Sequence, residues 1–116
     1  AVKVFTDREE AEIELKIATD ICRQNLPGIT KLLDNGIVQA SEATDLDVGV
    51  GSIFLVYEYI DKTLKDAWDG SELSNRDILQ IGIQLIEAAE SIHQSGYVHT
   101  DLKLDNIMIN CQNKVF

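Results

Sequence analysis

The chain has 116 residues, enough for one core and too few for two full domains, and its 45% apolar and 26% charged composition is that of a globular protein, not a disordered one. A formal charge of -10 excludes general affinity for nucleic-acid backbones and anionic membranes, which are held by clusters of lysine and arginine. No apolar run is long enough to span a bilayer and no basic-then-apolar N-terminus reads as a secretory signal, while Cys22 and Cys111, without metal-ligand spacing, read as buried free thiols in a reducing, intracellular and cytoplasmic setting.

Ala1 to Phe5 is an apolar, strand-like run with neither an initiator methionine nor a preceding turn, which reads as a cut end. The strand covers Val2 to Phe5. Thr6 is placed to cap a following helix, with Glu9 three residues on as the return half of a capping box. Within that helix Ile13, Ile17, Ala18 and Ile21 recur at helical spacing on a surface otherwise made of Glu9, Glu10, Glu12, Glu14 and Lys16, so one narrow face is expected to pack. Leu26-Pro27-Gly28 stops it. Ile29 to Leu33 is a strand candidate running into Asn35-Gly36, a pair that fits a hairpin turn or a bulge equally well.

Gln39 to Gly51 is polar, acidic and punctuated by glycine, which predicts a solvated loop, and Ile53 to Tyr59 follows as a buried strand rich in aromatic and branched residues. A short helix around Thr63 to Trp68 and a polar turn at Asp69-Gly70-Ser71 come next. They lead to a long helix capped by Ser74 with Asp77 as its partner. Its stripe of Ile78, Ile81, Leu85, Ala88 and Ile92 is widened by Leu79, Ile83 and Ile86, which predicts a core element. Gly96 supplies the left-handed residue that ends it, ahead of an irregular segment and a strand over Ile107 to Ile109.

The chemistry is concentrated in His99-Thr100-Asp101-Leu102-Lys103-Leu104-Asp105-Asn106. Asp101 is a carboxylate able to orient a hydroxyl and take its proton. Lys103 is able to set a positive charge on a phosphoryl group in transfer, and Asn106 offers a neutral oxygen to a hard divalent cation. The competing reading is a capped turn in which Asp101 and Asn106 only satisfy backbone groups.

This stretch resembles the catalytic loop of protein kinases, His-Arg-Asp-Leu-Lys-x-x-Asn, from which Thr100 departs where the family usually has arginine. The departure bears on control by an activation-loop phosphate. Lys103 points to the serine/threonine branch. The resemblance extends back over the chain: Ala1-Val2-Lys3 looks like the Val-Ala-Ile-Lys strand, implying Lys3 on the inner phosphates of a nucleotide and Ala1 as a wall of the adenine site. It implies a glutamate partner for Lys3 in the next helix, Glu14, with Glu10 as runner-up. Leu55-Val56-Tyr57-Glu58-Tyr59-Ile60 resembles the hinge, implying Tyr57 as gatekeeper, main-chain groups of Glu58 and Ile60 as adenine partners, and Met108 as the pocket floor. His93 and His99 read as an exposed and a structural histidine.

The implied fold is α+β and protein-kinase-like but incomplete, with residues 1–60 as part of the small lobe and hinge and residues 61–116 as the start of the large lobe with the catalytic loop. The implied cofactors are ATP and Mg2+, and the implied partner is a protein bearing serine or threonine hydroxyls. No glycine-rich loop precedes Lys3, and Lys114-Val115-Phe116 looks like the strand leading into Asp-Phe-Gly. The expectation is therefore a fragment inactive by itself, with apolar surface on its long helix left uncovered. Two other readings are a small-molecule kinase of the same fold, such as an aminoglycoside-type phosphotransferase, and a non-catalytic pseudokinase or truncated binding module. Lys103 and the hinge-like stretch argue against the first, and the intact Lys3, Asp101 and Asn106 argue against the second.

Overall fold

A computed structural model describes residues 1–39 and 49–116. The elements run β1 (Val2–Phe5), α1 (Arg8–Gln24), β2 (Leu32–Ile37), β3 (Ile53–Tyr57), β4 (Lys62–Thr63), α2 (Leu64–Asp69), α3 (Asn75–Gln94), a 3-10 turn (Leu104–Asn106) and β5 (Met108–Ile109). This is an α+β arrangement. It divides into two compact units, one made of residues 1–24 and 31–58, the other of residues 25–30 and 59–116.

In the first unit β3 is the middle strand of an antiparallel sheet ordered β1-β3-β2. β3 alternates its side chains, and Ile53 and Leu55, on one face, close a core with Phe5 of β1 and Ala11 of α1, while Phe54 and Val56 on the other face are half-buried. Leu15, Leu32 and Tyr57 pack around it. The helix starts one residue later than Thr6 would set it: Asp7, not Thr6, is the cap, its Oδ1 accepting the Glu10 N–H at 2.9 Å. A carboxylate there satisfies an orphan donor and also faces the positive end of the helix dipole. The expected face of α1 packs in part: Ile21 is buried and Ile17 and Ala18 are half-buried, but Ile13 is exposed and Ala11 is buried instead.

The strand expected over 29–33 forms three residues later, and Asn35-Gly36 lies inside it. A register shift between Leu32 and Asp34 marks a bulge that leaves Leu33 out of the pairing and exposed. Gly36 is opposite Phe54, and a Cβ at Gly36 would stand 2.7 Å from the Phe54 ring. Absence of a side chain is thus used for close packing, not for a turn. Residues 40–48 of the expected acidic loop lie outside the described residues. Val38 and Ser52 are joined by a main-chain bond of 2.9 Å at its base.

In the second unit both expected helix starts form with reciprocal capping boxes, Thr63 with Asp66 and Ser74 with Asp77. The end of α3 is a Schellman motif, in which Tyr97 N–H reaches the Ile92 carbonyl and Gly96 N–H reaches that of His93. Gly96 takes φ 85° there, the left-handed conformation the motif needs. Leu64, Ala67, Ile81, Ile107, Ile109 and Val115 form the core of this unit, with Leu73 and Leu85 against it. Ile81, Ala88 and Ile92 are the buried positions of α3, while Leu79, Ile83 and Ile86 form a solvent-facing side of it. β4 and β5 pair, and Val115 bridges to Ile109, so the last residues fold back as a hairpin. Asp77 and Gln84 of α3 hold that hairpin through Asn113 and the Val115 N–H, at 3.0 Å each. Gly28 (φ 71°) lies so close to α3 that a Cβ would be 3.0 Å from that of Ala88.

The cysteines are free, but only Cys22 is partly buried, its sulfur accepting the Leu32 N–H; Cys111 is exposed at the hairpin, correcting the expectation of two buried thiols. Among the described residues no helix is long and apolar enough to cross a membrane.

Candidate active-site clusters

Each unit carries one cluster of the residues singled out in the sequence. In the first, β1 alternates its side chains, so Lys3 and Phe5 share a face, and the Lys3 ammonium lies 4.7 Å from the centre of the Phe5 ring. The same ammonium is 2.5 Å from Glu14 Oε2. Glu14, not Glu10, is therefore the partner of Lys3. The pairing follows from register: β1 and β3 align Lys3 with Leu55, whose burial fixes the strand beneath α1. Lys3 keeps half its side chain in solvent, so the ion pair by itself is worth on the order of 1 kcal/mol or less.

The second oxygen of Glu14 is also engaged. Tyr57 O–H donates to Glu14 Oε1 at 3.0 Å. Burial, then the charge of Glu14, pushes the Tyr57 phenol above the ordinary tyrosine range. Glu10, Ile13, Glu14, Ile17, Ala18 and Tyr57 line a shallow recess of 330 Å³ beside this bond. The backbone of Tyr57 continues the sheet, its N–H reaching the carbonyl of Ala1 at 2.7 Å, and Ala1 itself is exposed. Glu58 exchanges two bonds with Lys31: its N–H donates to the Lys31 carbonyl and its carboxylate accepts the Lys31 N–H, both at 2.9 Å. The Glu58 carbonyl takes no part in this exchange.

In the second unit the 3-10 turn draws the catalytic-loop residues together. Asn106 N–H reaches the Lys103 carbonyl at 2.9 Å, which closes the turn. That brings the Asn106 amide to the Asp101 carbonyl at 2.9 Å and to Asp101 Oδ2 at 2.8 Å. Lys103 Nζ is 3.0 Å from the same oxygen. The hydrogen bonds from Lys103 and then Asn106 hold the Asp101 carboxyl below the usual carboxylate range, and the bond to Asp101 raises Lys103. The capped-turn reading is thus satisfied in part, since Asn106 does cap the Asp101 carbonyl. What a capped turn does not need is a lysine on the same carboxylate oxygen. All three side chains are exposed.

Met108 is half-buried on β5, where it exchanges main-chain bonds with Phe116 at 2.9 and 3.2 Å. Ile60 is half-buried, and His93 and His99 are exposed. Among the described residues no group of three or more His, Cys, Asp or Glu side chains is placed to hold a metal ion. Asn106 fits Mg2+ in kind, because its amide oxygen is a hard, neutral donor beside an ionised carboxylate. The sequence reading missed two contacts: the Tyr57 hydroxyl on Glu14 and the Phe5 ring under Lys3. The second was legible in the i, i+2 alternation of β1; the first joins residues 43 apart and had no local signal.

A model of the protein kinase domain family matches residues 1–116. A probable serine/threonine-protein kinase of Clostridium perfringens is 32% identical over 94% of this chain and 15% of its own length. A probable cell division protein kinase of Encephalitozoon cuniculi is 44% identical over 53% of this chain and 20% of its own, and cyclin-dependent kinase 12 of Caenorhabditis elegans is 31% identical over 84% and 13%. The chain thus spans a fifth or less of the length of these relatives.

Proposed function

This chain belongs to the protein kinase domain family, and from that premise we propose that it is the part of a serine/threonine protein kinase that holds ATP and Mg2+ and presents the catalytic carboxylate to a protein hydroxyl. Kinases of this family use ATP with Mg2+, which together supply an activated phosphoryl group whose charge is partly neutralised. The single observation carrying the proposal is the junction of Lys103 and Asn106 on one oxygen of Asp101, at 3.0 and 2.8 Å.

Asp101 orients the hydroxyl and accepts its proton. Its depressed pKa makes it a weak proton acceptor in solution, so orientation by an ionised, acceptor-only group already fixed by two donors comes first and the proton follows as the phosphoryl group is transferred. Lys103 brings positive charge to the phosphoryl oxygens, and Asn106 lends an oxygen to the metal. Lys3, steadied by Glu14, takes the inner phosphates. Ala1, Tyr57, Glu58, Ile60 and Met108 are assigned to the adenine and its surroundings, with the Glu58 carbonyl as acceptor. Residues 1–60 act as part of the small lobe and hinge, and 61–116 as the start of the large one.

The 116 residues by themselves are expected to bind nucleotide weakly and to transfer no phosphate, because Asn106 is the one ligand assigned to a cation that such sites hold with one or two carboxylates together with the phosphates of the substrate. Transfer is tested in a longer protein carrying these residues, with labelled ATP and either a mixed protein substrate or small alcohols as acceptors. Asp101→Asn is expected to lower kcat about 10²- to 10⁴-fold with little change in the KM for ATP. Retention of full activity by that variant removes Asp101 from the mechanism. Transfer to small alcohols in preference to protein favours the small-molecule kinase instead, and robust transfer by the isolated chain contradicts its expected inactivity.

A further inference from the structure

The pairing of Lys3 with Glu14 is a contact of two flexible side chains on different elements, and α1 has carboxylates on every side, at Glu9, Glu10, Glu12 and Glu14. Something must select Glu14 and keep its carboxylate turned toward β1. The selection comes from β3. Tyr57 stands at the end of that strand, where main-chain bonding to Ala1 fixes its backbone, and its ring packs against the core of Phe5, Ala11, Ile53 and Leu55. Its hydroxyl then meets Glu14 Oε1 while Lys3 holds Oε2.

We propose that Tyr57 is a positioning residue that acts through its hydroxyl: by donating to one oxygen of Glu14 it fixes the plane of the carboxylate and so the place of the Lys3 ammonium that grips the other. The relevance of this to nucleotide binding rests on the function proposed above for Lys3. The contact itself does not. The ring supplies packing that a phenylalanine would supply equally, so the hydroxyl is the specific element. Burial and Glu14 together also keep the phenol protonated, and hence a donor, well beyond neutral pH.

The test uses the 116-residue chain without nucleotide, so its outcome is independent of whether the chain binds ATP. Lysines are labelled competitively with a trace of acylating reagent, and the reactivity of Lys3 is read by mass spectrometry against Lys16, an exposed lysine of α1. Tyr57→Phe is expected to raise the labelling of Lys3 relative to Lys16 by about threefold or more, since a hydrogen bond to a charged group is lost and the carboxylate is free to turn. In a Glu14→Gln background the same substitution is expected to change nothing further, because its effect passes through Glu14. Unchanged or reduced labelling in Tyr57→Phe, or an equal rise in both backgrounds, overturns the proposal. A second readout needs no Tyr57 variant: in the chain carrying ¹³Cζ-tyrosine, the Tyr57 resonance is expected to titrate above the ordinary tyrosine range, and to move down toward that range in Glu14→Gln. Titration of Tyr57 within the ordinary tyrosine range in the unmodified chain overturns the contact outright.

Discussion

Leu55 is the residue on which the first unit depends most, and its truncation has a calculable effect. It is fully buried in the middle strand, paired in register with Lys3 on β1 and packed against Phe5, Ala11 and Ile53. Leu55→Ala removes three carbons, worth about 2.4 kcal/mol at about 0.8 kcal/mol each. The cavity left between two strands and a helix adds about 1 kcal/mol if roughly 40 Å³ stays unfilled at about 24 cal/mol per Å³. The total is about 3–4 kcal/mol. Half a chain of this length has about 3–9 kcal/mol to lose at about 0.05–0.15 kcal/mol per residue, so the loss takes a third or more of it and the sheet is expected to open far more often. Amide hydrogen exchange reads this directly: protection of Phe54 to Val56 should fall by two or more orders of magnitude, while that of Ile81 to Ile92 in α3 changes less. Ile13→Ala, at a position 54% exposed, is the control and should cost less than about 0.5 kcal/mol. A loss below about 1 kcal/mol in Leu55→Ala, or an equal loss in Ile13→Ala, refutes the packing argument.

Ser74→Ala breaks the capping box at the start of α3 and is expected to lower stability by about 1 kcal/mol, read as a lower thermal midpoint; an unchanged midpoint contradicts it. Gly28→Ala puts a methyl group 3.0 Å from Ala88 Cβ at φ 71° and should cost about 1–2 kcal/mol in strain alone, measured by urea unfolding, whereas a stabilised variant would show that the loop moves freely. Acid should destabilise the second unit. Asp66, Asp77 and Asp101 all have folded pKa values held below the ordinary carboxylate range, chiefly by the hydrogen bonds of Thr63, Ser74 and Lys103, so their contribution is complete above the unfolded pKa and is lost as pH falls through the depressed folded values. The urea midpoint should therefore fall as pH drops below about 4, and a midpoint that is flat or rises there contradicts the assignment.

Local signals marked most of the elements. Ser74 with Asp77 and Thr63 through Asp66 lie within one helical turn, where the physics of capping is complete in four residues, and both helices begin as expected. The Schellman end at Gly96 is similarly local. The misplacements occur where distant residues decide. Asn35-Gly36 has the composition of a hairpin turn, but the Phe54 ring across the sheet makes it a strand, and at the start of α1 the core of Phe5 and Leu55 takes Ala11 where the isoleucine spacing points to Ile13. Thr6 and Asp7 are both cap formers, and nothing within the segment ranks them. The cluster of Asp101, Lys103 and Asn106 was plain from sequence, because one short turn joins the three residues. The hold of Tyr57 on Glu14 was not, since it exists only once β3 and α1 have packed.

The central claim is that these residues form nucleotide-binding machinery, and the most direct test is a titration of the chain with Mg-ATP followed by backbone and side-chain NMR. Shifts are predicted at Lys3, Glu14, Glu58, Ile60, Asn106 and Met108 at millimolar nucleotide, with Lys3→Met abolishing those at Glu14 and weakening the rest. Shifts scattered over the surface without these residues, or a Lys3→Met variant that responds like the unmodified chain, would contradict it.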